Sequence, residues 1–599
     1  MIYHCEDHTC NYWDEGEKLP ERCPQCGRKL LRANEADMTG DDWTALGNTL
    51  WDAEASDKKR MVDCFRKAAY LGSAWGVCNL GICMEQGNGV EADPVQAFWL
   101  YQQAVEMGSL NAVCCLGVCY QYGIGTAPDA KQAAELYCKA AEYGSPRGQM
   151  LLARAFHDGI GVEADAAEAV YWVRAAAYQR YGEGMHRLGV CYEYGDGVEQ
   201  NWERAVHWFR EAAESGVSVA MADLGYCYEK GCGVEQSWAQ AFSWYRRGAE
   251  CGYPVSMSNL GLCYKRGYGV EQNWQEAIKW YEQGAQCGDL QSMHNLACCY
   301  EGGEGVEQNE DRAFYWYRRS AEGGNGSAMC NLGRCYKRGY GVEQNWQEAV
   351  KWYEQGAQCG NLQSMHNLAC CYEHGEGVEQ NMTEAIRWYT AAAEGGNADD
   401  MYELGWQYDH GEGVEQDMKK AICWYERAAE QNHPAAMNSL GECYAMGRGV
   451  PRDLETAMEW YRRAAELGEA MADYNMGWHL EQAGKLSEAY THYRKAADGN
   501  DDSAWWALGR FYENGVVVAQ DGKEARRCYE TGEKLGSVKC KMRLARCKLL
   551  GIGGRRAKKA GLDLCRQALE LAKESSEKED YGYEAEMNLL RRTIAENES

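Results

Sequence analysis

The sequence predicts an all-α protein in which about fifteen helix-turn-helix repeats stack into a solenoid behind a short cysteine-rich segment. The main observation is the tripeptide Gly-x-Gly, which recurs eleven times from Gly87 to Gly447 at an unbroken spacing of 36 residues. A dipeptide of Leu or Met followed by Gly or Ala recurs with the same 36-residue spacing. Further copies outside this range extend the array over roughly residues 40–580. A fixed period of this length indicates units that bury their apolar faces by stacking on their neighbours.

The composition agrees with one unit copied many times. The 599 residues include 68 glycines but only 8 prolines, and 40 tyrosines and 22 tryptophans against 7 phenylalanines. The formal net charge of -28 repels the phosphates of nucleic acids and anionic lipids. The sequence also lacks a run of about 18 apolar residues that would span a bilayer. We therefore expect no nucleic-acid partner and no membrane partner.

Thirty cysteines raise the question of disulfide bonds. Disulfide scaffolds are typical of short secreted chains. This chain is long, and its first residues lack the basic, apolar and small-residue regions of a secretion signal. We therefore expect a cytoplasmic protein whose thiols are mostly reduced.

The repeat around Leu260 shows the pattern of the first helix. Within residues 255–266, Met257, Leu260 and Cys263 recur at helical spacing and form one apolar face. Gly267 follows directly, and glycine is the residue that most easily adopts the left-handed conformation at a helix C-terminus. The pattern predicts a helix that ends at this glycine.

The second helix begins after a residue that is almost always a good N-cap, because its side-chain oxygen can accept a bond from a free first-turn amide. The residues at this position are Asp93, Asp129, Asp165, Asn201, Ser237, Asn273, Asn309, Asn345, Asn381, Asp417 and Asp453. The helix predicted after Asn273 carries Trp280 and Tyr281 and stops near Gly288. We expect Gly261 and Ala277 to permit close helix approach, with Trp280 and Tyr264 filling the space between the helices.

The full pattern, L-G-x-x-Y-x-x-G-x-G-V-x-x-[DN]-x-x-x-A-x-x-W-[YF]-x-x-[AG]-A-x-x-G over residues 260–288, closely resembles the Sel1-like repeat (SLR). That family is related to the tetratricopeptide repeat (TPR) but has longer units and this glycine-rich turn. The resemblance covers about nine-tenths of the chain. It implies a right-handed α/α superhelix that binds proteins or peptides and scaffolds complexes. Bacterial members are often host-interaction or signalling adaptors, and the family does not fix a partner.

The N-terminal segment carries Cys5, Cys10, Cys23 and Cys26. Four thiolates on separate turns form the tetrahedral ligand set that a structural zinc ion prefers. The run Cys23-Pro-Gln-Cys26-Gly resembles a rubredoxin-like zinc ribbon, but four residues instead of two separate the first cysteine pair. His4 and His8 therefore remain alternative ligands, and iron remains the alternative metal. We expect one structural zinc ion and no open coordination position for catalysis.

The remaining cysteines are expected to be packing residues. Nine of them lie three residues after the repeat leucine: Cys83, Cys119, Cys191, Cys227, Cys263, Cys299, Cys335, Cys371 and Cys443. Equivalent residues of stacked helices are about 10 Å apart. That distance is too long for a shared metal or a disulfide.

No catalytic constellation accompanies the repeats. Ser56-x-x-Lys59 has the spacing of a penicillin-recognising nucleophile, but the companion motifs are missing and the match is chance. Eight tryptophans at the 36-residue period, from Trp208 to Trp460, are expected in the core of the second helices. Four asparagines precede the repeat leucine and either hydrogen-bond a bound peptide backbone or serve the structure: Asn259, Asn295, Asn331 and Asn367.

The sequence therefore predicts three segments: a zinc-ribbon-like segment at 1–32, a repeat solenoid at 33–556 and C-terminal capping helices at 557–599. The predicted function is that of a non-catalytic scaffold, not an enzyme, which binds a protein or peptide in the concave groove lined by the first helices. No small-molecule substrate is inferred. The alternative is a secreted cysteine-rich repeat factor, or a relative that resembles a penicillin-binding hydrolase.

Overall fold

The computed structural model describes residues 2–5, 13–15, 30–33, 35–51, 55–578 and 583–598. The chain divides into two compact units, Met1–Asn309 and Glu310–Ser599, which we call unit 1 and unit 2. Each unit consists mainly of short α-helices in sequence order, and each is described by itself.

Unit 1 opens with a small antiparallel sheet of three strands, β1 (Ile2–Cys5), β2 (Trp13–Glu15) and β3 (Leu30–Ala33). Strand β1 lies in the middle and pairs with both neighbours. Cys5 is the last residue of β1. The other three predicted metal ligands, Cys10, Cys23 and Cys26, and the alternative ligand His8, lie outside the described residues.

A 3-10 turn at Glu35–Asp37 leads into the helices of unit 1. These are α1 (Gly40–Thr49), α2 (Ala55–Tyr70), α3 (Ala74–Gln86), α4 (Pro94–Glu106), α5 (Leu110–Tyr122), α6 (Ala130–Glu142), α7 (Pro146–Asp158), α8 (Ala166–Tyr178), α9 (Gly182–Tyr194), α10 (Trp202–Glu214), α11 (Ser218–Lys230), α12 (Trp238–Glu250), α13 (Pro254–Arg266), α14 (Trp274–Gln286) and α15 (Leu290–Gly302).

Unit 2 continues the series with α16 (Glu310–Glu322), α17 (Gly326–Arg338), α18 (Trp346–Gln358), α19 (Leu362–His374), α20 (Met382–Glu394), α21 (Ala398–His410), α22 (Met418–Glu430), α23 (Pro434–Met446), α24 (Leu454–Glu466), α25 (Ala470–Gln482), α26 (Leu486–Asp498), α27 (Asp502–Asn514), α28 (Gly522–Lys534), α29 (Val538–Leu550), α30 (Lys558–Lys578) and α31 (Glu584–Glu598).

We call the odd-numbered helices α1–α29 the A helices and the even-numbered helices α2–α30 the B helices. Within each unit an A helix packs against the B helix that follows it, and that B helix packs against the next A helix. In the described part of the chain, α1–α30 follow one another as fifteen A–B pairs. The predicted all-α solenoid of many helix-turn-helix repeats is therefore confirmed within each unit.

The helix ends follow the sequence prediction. Gly267 closes α13 with a φ of 74°, and its amide donates to the carbonyl of Cys263. Asn273 then accepts a bond of 3.1 Å from the amide of Glu276 and caps α14. The predicted cap forms in this way at Asp93, Asp129, Asp165, Asn201, Ser237, Asn273, Asn345, Asn381, Asp417 and Asp453.

The second glycine of the turn holds neighbouring repeats together. Gly269 has a φ of 69°, and a Cβ atom built on it would lie 2.5 Å from the carbonyl carbon of Trp238. Trp238 is the first residue of α12, the B helix of the preceding repeat. Because glycine has no Cβ atom, the loop can rest directly on the backbone of that helix. The Gly-x-Gly turn therefore ends one helix and seats the loop on the neighbouring repeat.

The centre of most repeats is filled by tyrosine, and the expectation that tryptophan fills it is wrong. A Cβ atom on Gly261 would lie 2.5 Å from the ring of Tyr281, so this glycine accommodates the tyrosine. Trp280, one residue earlier, is half-buried, as are most tryptophans of its column. The buried aromatic column consists of Phe65, Tyr101, Tyr137, Phe209, Tyr245, Tyr281, Tyr317, Tyr353, Tyr389, Tyr425, Tyr461, Tyr493 and Tyr529.

The periodic cysteines are core residues, as predicted. The nine named cysteines from Cys83 to Cys443 are all buried. None of the nine forms a disulfide bond within the described residues. Burial raises the pKa of the Cys263 thiol to about 12, which keeps it protonated at neutral pH. These cysteines act as small apolar side chains.

The last helix, α31, covers the end of the array in unit 2. It packs against α29 and α30 through Met587, Leu590 and Ile594. Arg543 on α29 donates two bonds to the buried carboxylate of Glu586, at 2.6 and 2.7 Å. A paired, charge-assisted arrangement of this kind fixes the helix in orientation as well as position.

Candidate protein-interaction site

Each A helix leaves a stripe of side chains outside the core, which we call the A face. On α13 the stripe consists of Val255, Asn259, Leu262 and Arg266, at helical spacings of four, three and four residues. Consecutive A helices contact one another, for example α5 with α7 in unit 1 and α17 with α19 in unit 2. The stripes of neighbouring repeats therefore form a continuous surface within each unit.

The four predicted partner-binding asparagines lie on this face and are half-buried. Asn259 (α13) and Asn295 (α15) belong to unit 1, and Asn331 (α17) and Asn367 (α19) belong to unit 2. The amide of Asn367 donates to the sulfur of Cys330 on α17, at 3.4 Å.

Other asparagines of the A helices bridge neighbouring repeats in a similar way. Asn79 donates to Asn48 at 2.8 Å, and Asn475 donates to Asn438 at 3.0 Å. At these positions asparagine connects one A helix to the next, which is the structural role left open in the sequence analysis.

One repeat of unit 1 lacks the aromatic side chain that fills the others. Val173 on α8 stands where Tyr137 and Phe209 stand in the neighbouring repeats. Ala153 on α7 replaces the glycine against which the ring would pack. A pocket of about 370 Å³ occupies this place and opens onto the A face between α7 and α9. Its size lies within the range of small-ligand pockets, about 300–1,000 Å³.

The pocket has an apolar floor and a charged rim. The lining residues are Met150, Ala153, Arg154, His157, Asp158, Ala169, Val170, Val173, Glu183, Arg187, Cys191 and Asp196. On the rim, His157 lies 2.7 Å from Asp158 through Nδ1 and 3.2 Å from Asp196 through Nε2. Arg154 lies 3.4 Å from the same carboxylate of Asp158. These contacts hold both signs of charge at the mouth of the pocket.

The pocket combines an ionised rim with a neutral wall. The hydrogen bond from His157 lowers the pKa of Asp158 below its ordinary value, so this carboxylate is ionised at neutral pH. Burial raises the pKa of the Cys191 thiol in the wall to about 11. A protonated thiol is a poor nucleophile.

The described residues show neither a metal site nor a membrane span. Within them, no group of three or more His, Cys, Asp or Glu side chains is placed to hold a metal ion. No helix among them is both long and apolar enough to cross a bilayer.

Comparison with known proteins identifies the repeat. The Sel1 repeat model matches thirteen consecutive segments, from residues 76–109 to residues 504–537. The chain is 32% identical to a protective antigen with an SLR fold from uropathogenic Escherichia coli strains. That match covers 75% of this chain and 97% of the antigen, with a TM-score of 0.50. A Sel1 repeat protein from Oxalobacter formigenes is 31% identical over 41% of this chain and 99% of its own, with a TM-score of 0.39.

No curated protein matches the chain. The repeat matches nevertheless span most of its length, and they coincide with the A–B helix pairs and with the glycine turns between them. Solenoids of this kind are generally non-catalytic scaffolds for protein interaction. The chain belongs to the Sel1 repeat family.

Proposed function

We propose that this protein is a non-catalytic scaffold that binds a protein or peptide on the A face, with the pocket at Val173 as its anchor site. The observation that carries the proposal is the missing ring. Thirteen repeats fill the equivalent space with an aromatic side chain, whereas this repeat leaves it open to the surface. An aromatic side chain of a partner would fit the vacated space.

The surroundings of the pocket suit a protein partner. Tyr194 on α9 and Tyr226 on α11 lie on the same face, and 73% and 45% of their surfaces are exposed. Tyrosine and arginine are enriched at protein interfaces, and buried aromatic anchors carry much of the binding energy. Arg154 and Arg187 at the rim are placed to bond a partner backbone beside the anchor. The alternative of a secreted or penicillin-binding relative is not favoured.

Filling the pocket should weaken partner binding without harming the fold. Phe209 occupies the equivalent site in the next repeat, so Val173→Phe should place its ring in the pocket. Alanine in place of the packing glycine does not prevent this, since Ala297 and Ala369 stand opposite Tyr317 and Tyr389. We expect a Kd at least about thirtyfold weaker, because a central anchor is worth about 2 kcal/mol or more. The partner is captured from native cells and then titrated calorimetrically.

Ser243→Phe is the matched control, because it adds the same ring to the exposed face of α12, away from the pocket. This variant should bind like the wild type. Wild-type affinity in Val173→Phe, with an unchanged melting curve, would rule out the pocket as the anchor.

The asparagine positions extend the proposed site along the A face. Asn259 and Asn295 in unit 1, and Asn331 and Asn367 in unit 2, are proposed to hydrogen-bond the backbone of the bound segment. Their half-burial and their recurrence at one register support this role.

We also propose that Cys5, Cys10, Cys23 and Cys26 bind one structural zinc ion in a cytoplasmic protein. The cysteine spacing supports the site, and the free buried thiols favour a reducing compartment. We expect elemental analysis to find one zinc per chain and Cys23→Ser to lose it, whereas Cys251→Ser, at an exposed cysteine of the array, should retain it. Zinc-free wild-type protein, or undiminished zinc in Cys23→Ser, would contradict the site.

A further inference from the structure

Unit 2 contains a cysteine, a histidine and an aspartate in a chain of close contacts. Cys370 and His366 lie on α19, and Asp400 lies on α21. The sulfur of Cys370 is 3.6 Å from Nε2 of His366, and Nδ1 of the same ring is 2.7 Å from Oδ1 of Asp400. Cys370 occupies the A-face position of Leu262 and is half-buried. A thiol, an imidazole and a carboxylate in this order form an activated nucleophile.

The aspartate is exceptional at its position. Asp400 is fully buried, and its Oδ2 atom has no hydrogen-bond partner within the described residues. The equivalent buried positions of neighbouring repeats hold small side chains: Ala220, Ser256, Ser292, Ala328, Ser364 and Ala436. Burying a carboxylate is costly unless a partner compensates for the lost solvation. His366 is that partner.

The contacts determine the charge state of the imidazole. Hydrogen bonds with Asp400 and Cys370 raise the pKa of His366 to about 10, so the ring is protonated at neutral pH. Burial raises the pKa of Asp400, and the bond with His366 opposes that effect. The other titratable groups around the ring are Glu373 on α19, Tyr389 on α20 and Glu403 on α21.

Tyr389 completes the surroundings of the sulfur atom. Its hydroxyl oxygen is 3.4 Å from the sulfur of Cys370 and donates its proton to Glu373 at 2.6 Å. Burial raises the pKa of Tyr389 well above its ordinary value, so the hydroxyl remains protonated. The cation beside the sulfur is the His366 imidazolium, at 3.6 Å, and a charged histidine beside a cysteine is typical of reactive cysteine sites.

We propose that Cys370 is a modification site that reacts with low-molecular-weight disulfides. The Cys370 thiolate attacks one sulfur atom of the disulfide, a new sulfur–sulfur bond forms, and the original one breaks. The displaced thiolate takes up a proton, which the His366 imidazolium supplies and then regains from water. One disulfide is consumed and one mixed disulfide is formed, so no other oxidant is required.

The chain carries its own comparison site. His294 and Cys298 on α15 are the copies of His366 and Cys370 one 72-residue duplication earlier, with their nitrogen and sulfur atoms 3.8 Å apart. Ala328 stands where the second copy has Asp400. Cys298 therefore reports how a similar cysteine–histidine pair reacts without that carboxylate.

The test is the rate at which each cysteine of the full-length protein reacts with oxidised glutathione at pH 7, mapped by mass spectrometry. We expect Cys370 to react about tenfold faster than Cys298, because the buried carboxylate of Asp400 holds His366 in its charged form beside the sulfur.

Asp400→Asn should lower the Cys370 rate to that of Cys298, and His366→Gln should do the same. The comparison of the two cysteines in the wild type decides the question even if a variant fails to fold. Equal rates for the two cysteines in the wild type would overturn the proposal, as would an unchanged Cys370 rate in folded Asp400→Asn.

Discussion

Replacing Gly269 with alanine is expected to destabilise the junction between two repeats by about 3 kcal/mol or more. The left-handed backbone costs a residue with a Cβ atom about 1–2 kcal/mol. The new Cβ atom would also collide with the main chain of Trp238 at the start of α12, which cannot rotate away as a side chain would. Hydrogen exchange should show faster opening of α12, α13 and α14 than in the wild type.

Gly288→Ala separates the two contributions. Gly288 also has a positive φ, of 87°, but no atom lies within 4 Å of the Cβ that alanine would add. This variant should lose only the backbone contribution of about 1–2 kcal/mol. Equal opening rates in Gly269→Ala and Gly288→Ala would show that contact between the Gly269 loop and α12 does not stabilise the junction between the repeats.

Replacing Tyr281 with alanine is expected to cost about 3–5 kcal/mol, the range found when a large buried aromatic side chain is removed. Tyr281 is fully buried between α13 and α14, and its hydroxyl has no hydrogen-bond partner among the described residues. The loss therefore comes from the ring and the cavity that it leaves. This loss of stability is measured by denaturant unfolding that is monitored through hydrogen exchange in α13 and α14, because a repeat array unfolds locally.

Trp280→Ala is the control one residue away. Trp280 is larger but only half-buried, with Lys279 lying 5.9 Å from the centre of its ring. We expect less than half of the loss seen for Tyr281→Ala. A larger loss of stability in Trp280→Ala than in Tyr281→Ala would show that the tryptophan, not the tyrosine, fills the centre of the repeat.

Features set by short stretches of chain were predictable from the sequence. Gly267 ends α13 and Asn273 begins α14 because helix termini need a left-handed residue and a side-chain acceptor, respectively. The expectation that Trp280 and Tyr264 fill the space between the helices was wrong, because the second helix carries two adjacent aromatic residues, Trp280 and Tyr281. A helix turns by about 100° per residue, so the periodicity of the pattern alone places neither side chain with certainty.

The pocket and the cysteine site depend on contacts between repeats, which the period of the sequence does not reveal. Val173 is visible in the alignment of repeats as the non-aromatic residue of its column. That the missing ring leaves a pocket becomes clear only once the structure shows that this column of side chains fills the core. Asp400 is likewise visible as a carboxylate where neighbouring repeats have alanine or serine, yet its contact with His366 joins two helices.

Site-specific photocrosslinking in native cells tests most directly whether a partner binds on the A face at the Val173 pocket. A photoreactive phenylalanine analogue replaces Tyr194 on the A face or Tyr171 on the exposed side of α8, both of which are more than half exposed. The proposed function predicts a defined crosslinked partner from position 194, no such partner from position 171, and loss of the 194 crosslink in Val173→Phe. A partner crosslinked from position 171 alone, or a 194 crosslink that persists in Val173→Phe, would contradict it.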